Sequence, residues 1–231
     1  MKTFTSTRGP FPERPYYLDT EIERTCAEEL RGAGLHPGMP EPVRIDRFIE
    51  KRFGLTIAYD DLGPGILGYT RFGKSGVLGV VVSRTLDEEG TSVAERRVRS
   101  TLAHEAGHCL FHAHLFLLTG QCALFPEGAT AQPRVLCRDE RVDGSRGYTG
   151  QWWEYQANRA IGALLLPQAL VRTIVSEFTE PSGSMGLRVL PKGRRDSAIR
   201  RLSDAFDVNA AVARIRLDQL APVERHDQPT L

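Results

Sequence analysis

The chain has 231 residues and a formal net charge of +1, with 41% hydrophobic and 26% charged residues, an ordinary globular composition. It is long enough for one core with a small appendage and too short for two full domains. The near-neutral balance excludes binding nucleic acid by overall charge, so such a role needs a local patch, and no apolar run approaches the length needed to cross a bilayer.

Residues 1–18 read as a loose arm, because three prolines and a glycine leave little to pack. With no apolar stretch, the arm does not read as a signal peptide, and a cytoplasmic location is expected. Asp19 or Thr20 can cap a helix running to about Arg31, stopped at Gly32 and Gly34. After a Pro/Gly linker from His36 to Pro42, a second helix is expected from about Val43 to Phe53. Ile45, Phe48, Ile49 and Phe53 form its apolar stripe and Gly54 stops it. The period then shortens: Leu55–Tyr59, Ile66–Arg71 and Val77–Ser83 are β-rich and separated by turn residues. Short connections predict an antiparallel sheet, with Val77–Ser83 as an edge able to take up an extended peptide. Asp87–Gly90 reads as a turn.

A long helix is expected from Thr91 or Ser92 to about Leu115. Residues 119–150 are rich in Gly and Pro and read as an irregular loop of the length that usually has a function. A helix from Trp152 to Leu166 follows, and Pro167 breaks it or starts another that runs to about Phe178. Pro181–Gly193 reads as a linker, and two short helices, Asp196–Phe206 and Asn209–Leu220, close the chain. The expected fold class is α+β: a small antiparallel sheet on helices, with a helix-turn-helix-like C-terminal segment. The expected division is an arm and helix (1–40), a core (41–180) and the terminal helix pair (194–222). Cys26, Cys109, Cys122 and Cys137 have no CxxC or zinc-ribbon spacing, so free thiols are expected.

The long helix carries His104-Glu105-Ala106-Gly107-His108. Histidines four apart share one helix face, and two imidazole nitrogens there can hold Zn²⁺ at about 2.0–2.1 Å each. Glu105, beside the first ligand, is placed to take a proton from an attacking water. A structural zinc site would want four ligands, usually with cysteines. Cys109 points away from the histidines by helical phase, so an open three-ligand site is favoured. The best third ligand is Glu154, on a helix apolar along Ala157, Ile161 and Leu164–Leu165. Asn158, one turn on, can hydrogen-bond a ligating histidine.

The segment HEAGHCLFH (104–112), followed by EYQANRAIGALLLP (154–167), resembles the ImmA/IrrE family of metallopeptidases. There an HExxH helix precedes a helix of the form E-x-x-A-N ending in L-L-x-P. Pro42–Ile45 through Gly54-Leu55, Tyr59–Leu62 and Gly68 resemble the family's lead-in helix and sheet. Residues 199–220 (IRRLSDAFDVNAAVARIRLDQL) resemble the helix-turn-helix-like segment that often follows. The resemblance implies His104, His108 and Glu154 as metal ligands and Glu105 as the catalytic glutamate. It implies Asn158 and His112 as partners of the ligands, His112 lying a turn too far along to bind the same metal. The implied activity is metallo-endopeptidase with Zn²⁺, Mn²⁺ or another divalent ion remaining open. The implied substrate is a protein, a helix-turn-helix repressor in a stress or mobile-element response. The long cysteine-bearing stretch 115–150 departs from the family pattern. Tyr148, His112 and His114 are candidates to stabilise an oxyanion.

Two other readings compete. One is a regulatory or DNA-binding module, carried by Arg194, Arg195, Arg200, Arg201, Arg214 and Arg216 around a helix pair in which Asn209 is the N-cap. The acids Asp196, Asp204, Asp207 and Asp218 dilute that charge. The other is a metal-binding protein without catalysis.

Overall fold

The computed structural model describes residues 2–5, 13–73, 75–115, 134–138, 151–182 and 187–222. Cys122 and Tyr148 fall outside them. The architecture is α+β. Strands β1 (Lys2–Thr5) and β2 (Glu13–Tyr16) pair antiparallel, so the expected loose arm contains a two-stranded ribbon. Helix α1 (Asp19–Gly32) has Leu18 as its N-cap, one residue before the expected cap. The reason is Glu21, whose carboxylate accepts a hydrogen bond from the Leu18 N–H at 2.8 Å, a half capping box. Helix α2 (Ile45–Phe53) buries Ile45, Phe48 and Ile49 and ends at Gly54, whose φ of 66° is the left-handed conformation open to glycine.

The main sheet has the order β3-β5-β4-β6, from β3 (Ala58–Asp60), β4 (Ile66–Gly73), β5 (Gly76–Ser83) and β6 (Arg134–Arg138). β4 and β5 form an antiparallel hairpin and β6 adds antiparallel to β4. Two expectations are corrected. The sheet is mixed, because β3 runs parallel to β5. β5 is an inner strand with β3 on one side and β4 on the other, so it is not a free edge for a peptide. A hydrophobic run such as Val77–Val82 suits an inner strand buried on both faces. In addition, β6 falls in the stretch expected to be irregular.

Helix α3 (Arg84–Glu88) runs into the start of the expected turn, which Glu89 then makes, with the Ser83 hydroxyl accepting from the Leu86 N–H at 3.4 Å. Helix α4 (Ser92–Phe111) begins as the sequence indicates: the Thr91 hydroxyl accepts from the Ala94 N–H at 3.1 Å. From Ser100 onward it is buried nearly all round, lying between the β4/β5 face, α2 and α5 (Trp152–Leu165). Pro167 breaks α5 from α6 (Gln168–Ser176). Strands β7 (Glu180–Ser182) and β8 (Leu187–Val189) pair where a linker was expected. Helices α7 (Arg195–Phe206) and α8 (Ala210–Leu220) pack on each other and, through Val212, Ala213 and Leu217, on the common core. No single described helix is long and apolar enough to cross a membrane.

Candidate metal centre

Two faces of helix α4 and its C-cap carry the candidate residues. Thr101, Glu105 and Cys109 recur every fourth residue and look onto β4; His104, His108 and His112 do the same one step round and look onto α5. Both contacts depend on missing side chains. A Cβ on Gly68 of β4 would lie 2.9 Å from the Val81 carbonyl oxygen and 2.8 Å from the Thr101 methyl. A Cβ on Gly107 would lie 2.8 Å from the Ala160 Cβ and 3.0 Å from the Ala157 Cα on α5. Such distances are below carbon–carbon contact, so the glycines let the strand and the second helix close on α4.

On the α5 side, His104 Nε2 and His108 Nε2 are 3.0 Å apart. Glu154 brings Oε2 to 3.2 Å from His104 Nε2 and Oε1 to 3.6 Å from His108 Nε2. Together the three residues form a group able to hold a metal ion. Ligands about 2.0–2.1 Å from a tetrahedral zinc are about 3.3 Å from one another, and the three observed separations bracket that value. The outward nitrogens are engaged: His104 Nδ1 faces Asn158 Oδ1 at 3.1 Å and His108 Nδ1 faces His112 Nδ1 at 2.9 Å. Five sequence-selected residues, His104, His108, Glu154, Asn158 and His112, are therefore brought together. His112 is in contact with a candidate ligand and is not itself in the converging group.

On the β4 side, the Thr70 hydroxyl donates to Glu105 Oε2 at 2.6 Å. Oε1 of Glu105 is buried with no hydrogen-bond partner. A buried carboxylate oxygen without a partner is an exception that calls for an explanation. Burial pushes the Glu105 carboxyl up to about 7, against the lowering effects of His104 and the Thr70 hydrogen bond. Burial acts the same way on Glu154, but His108 and His104 outweigh it and hold that carboxyl well below the usual range. Burial lowers both His108 and His112, the second strongly, with His108 reinforcing it. For His104, burial is outweighed by Glu154, which raises it. The two carboxyls thus diverge: the imidazoles hold Glu154 as an anion, while burial raises Glu105 towards neutrality.

Both nitrogens of His112 are occupied, one by His108 and one by Gln156 Oε1 at 3.0 Å. That removes it as a candidate for an oxyanion. Cys109 sits on the β4 side, its Sγ 4.0 Å from the Thr70 hydroxyl, and burial raises its thiol, so it is neither a ligand nor a reactive thiolate. Two participants escaped the sequence reading, Thr70 and Gln156. Gln156 left a readable signal: it lies on the buried stripe Trp152-Gln156-Ala160-Ala163 of α5, where a polar residue must find a partner.

Of the six C-terminal arginines, Arg195 and Arg216 are buried. Arg195 binds Asp218 at 2.5 Å and the Ala221 carbonyl at 2.7 Å. Arg216 grips both oxygens of Glu23 and reaches the Leu166 carbonyl at 3.0 Å. Asn209 occupies the N-cap position of α8, yet its side chain donates to the Val93 carbonyl at 3.3 Å instead of capping. No family model matches the chain, and no curated protein matches it.

Proposed function

We propose that the chain is a metal-dependent endopeptidase that uses Zn²⁺ or a similar divalent ion held by His104, His108 and Glu154. The observation that carries this reading is the pairing of that cluster with a buried glutamate whose second oxygen is unpartnered. A purely structural metal site has no use for such a group. A bound divalent ion would supply Lewis acidity towards a peptide carbonyl and lower the pKa of water. The chain's own residues do the rest. Thr70 holds Glu105 Oε2 by its hydroxyl and leaves Oε1 as the acceptor. Glu105 takes a proton from the attacking water there and passes it to the leaving amine. Asn158 and His112 hold the outer nitrogens of the two imidazoles, which keeps the inner ones aimed at one point. With β5 paired on both sides, an extended peptide would add instead beyond β6, the strand at the end of the sheet nearest α4.

The substrate in this reading is a protein, and the resemblance of the motifs to the ImmA/IrrE family points to a cytoplasmic helix-turn-helix repressor. The test compares wild type with Glu105→Gln and His104→Ala on a repressor encoded beside the gene, with fragments followed by mass spectrometry. Glu105→Gln should retain metal and lose about 10²–10⁴-fold in rate, while His104→Ala should lose both. Equal cleavage by wild type and Glu105→Gln would remove Glu105 from the chemistry. Metal binding by wild type without cleavage of any peptide would favour the non-catalytic reading.

A further inference from the structure

We propose that the N-terminal ribbon completes the metal centre, by fixing through Gln156 and His112 which nitrogen of His108 faces the metal position. This rests on the metal-site reading above and adds a positioning role for Pro15, Gln156 and His112. The argument follows hydrogen-bond polarity from one end. The Pro15 carbonyl on β2 can only accept, and Gln156 Nε2 lies 2.8 Å from it, so the amide nitrogen of Gln156 must face the ribbon. Its Oε1 must then face His112 Nε2, at 3.0 Å, and can only accept, which puts the His112 proton on Nε2. His112 is fully buried between an imidazole and a neutral amide, so it carries a single ring proton. Its Nδ1 is therefore bare and accepts from His108 Nδ1 at 2.9 Å. His108 in turn is left with a bare Nε2, the atom that faces His104 and Glu154.

One backbone carbonyl thus sets three side chains in sequence. Proline suits the position: it is buried, and having no N–H it leaves no buried donor to satisfy. The ribbon is held against the helix by the next residue, since the Tyr17 ring meets Phe111 edge-on at 5.1 Å between centroids. His104 lacks an equivalent anchor, because its partner Asn158 is exposed and an exposed amide can turn over. Gln156 cannot do so without setting oxygen against the Pro15 oxygen. With both imidazoles in the metal-binding tautomer, two bare nitrogens face each other at 3.0 Å, an arrangement that calls for a cation between them.

The experiment uses the full chain labelled with ¹⁵N at histidine. Two-bond ¹⁵N–¹H correlation spectra at neutral pH read the tautomer of each ring, and a chromogenic chelator competing for Zn²⁺ reads affinity. Wild type should show His112 protonated on Nε2. Gln156→Met keeps the length and removes the amide. In this variant His112 should sample both tautomers, and zinc affinity should fall about ten- to a hundredfold. A packing role alone would lower stability and leave the His112 tautomer as it was. Wild-type His112 protonated on Nδ1 overturns the proposal, and so does Gln156→Met with wild-type zinc affinity. If Gln156→Met fails to fold, the wild-type spectrum alone decides. Absence of proteolysis in a protein with the expected tautomer and tight zinc binding refutes the peptidase reading and leaves this one standing.

Discussion

Gly107→Ala tests whether the metal centre depends on how closely α4 approaches α5. The added Cβ would meet the Ala160 Cβ at 2.8 Å and the Ala157 Cα at 3.0 Å, both on the facing helix. Carbon atoms rest about 3.5–4.0 Å apart, so the helices must separate locally by roughly 0.5–1 Å. The candidate ligands are divided between these helices, His104 and His108 on one and Glu154 on the other. The separation therefore comes directly out of the ligand geometry. Overpacking costs about 1–3 kcal/mol, while replacing a mid-helix glycine by alanine gains up to about 1 kcal/mol, so a net loss of about 0–3 kcal/mol is expected in urea unfolding of the metal-free protein. The larger effect should be on zinc: a displaced ligand carboxylate should weaken binding at least tenfold in chelator competition. Ala160→Gly in the same chain removes the nearest obstacle and should recover part of both losses, giving a favourable coupling in the double-mutant cycle. If Gly107→Ala were stabilised by about 1 kcal/mol with zinc affinity unchanged, the close approach of the helices would not be what places Glu154.

Three further outcomes are expected. Thr70→Val should cost about 1.5–3 kcal/mol in urea unfolding, because it removes the 2.6 Å donor to a buried carboxyl, and Thr70→Ser should restore most of it. Arg216→Met should cost about 1–3 kcal/mol, below the 3–5 kcal/mol of a fully buried pair, because Glu23 retains some exposure. Asp207 has φ of 50° and binds Arg96 at 2.8 Å and Arg99 at 3.3 Å, so Asp207→Ala should melt below Asp207→Gly. The two variants lose the same charges, and only alanine carries the left-handed penalty of about 1–2 kcal/mol; equal melting temperatures would place the whole effect in the ion pairs.

Local signals marked the beginning of α4 and the end of α2, because the Thr91 cap and Gly54 act within a few residues of themselves. The histidine–glutamate cluster was also legible, since helical spacing fixes which side chains share a face, and His104 and His108 need only one helix. Adding Glu154 required knowing that two apolar helices pack together. The errors share a cause in pairing at long range. Nothing in Ala58–Asp60 says that it will lie parallel to β5, and nothing in Arg134–Arg138 says that it will join β4. The arm's prolines suggest little packing, yet they do not prevent pairing. In a two-stranded ribbon every strand is an edge, where a missing N–H is tolerated, and Pro15 sits there opposite Thr3. Arg216 was read as surface charge because its partner Glu23 lies 193 residues away.

The C-terminal helices bear on the competing DNA-binding reading through what they leave exposed. A groove reader needs its second helix free along one face, with donors for phosphates and base edges. The exposed positions of α8 are Ala210, Ala211, Arg214 and Asp218: two methyl groups, one cation that faces Asp196 at 3.5 Å, and one acid bound to Arg195. That face offers little to a polyanion. The inward contacts are far richer. Asp207, in the turn between α7 and α8, ties Arg96 and Arg99 near the start of α4, Asn209 reaches the Val93 carbonyl, and Arg216 caps the end of α5 at Leu166 while binding Glu23 on α1. Helix α4 is thereby held near its first turn by the C-terminal pair and near its last by the residue that follows the N-terminal ribbon, with the candidate ligands His104 and His108 between. Arg194, Arg200, Arg201 and Arg214 remain exposed, yet the buried arginines and the Asp207 and Asn209 contacts make the helix-turn-helix-like outline a clamp on the helix that carries His104 and His108.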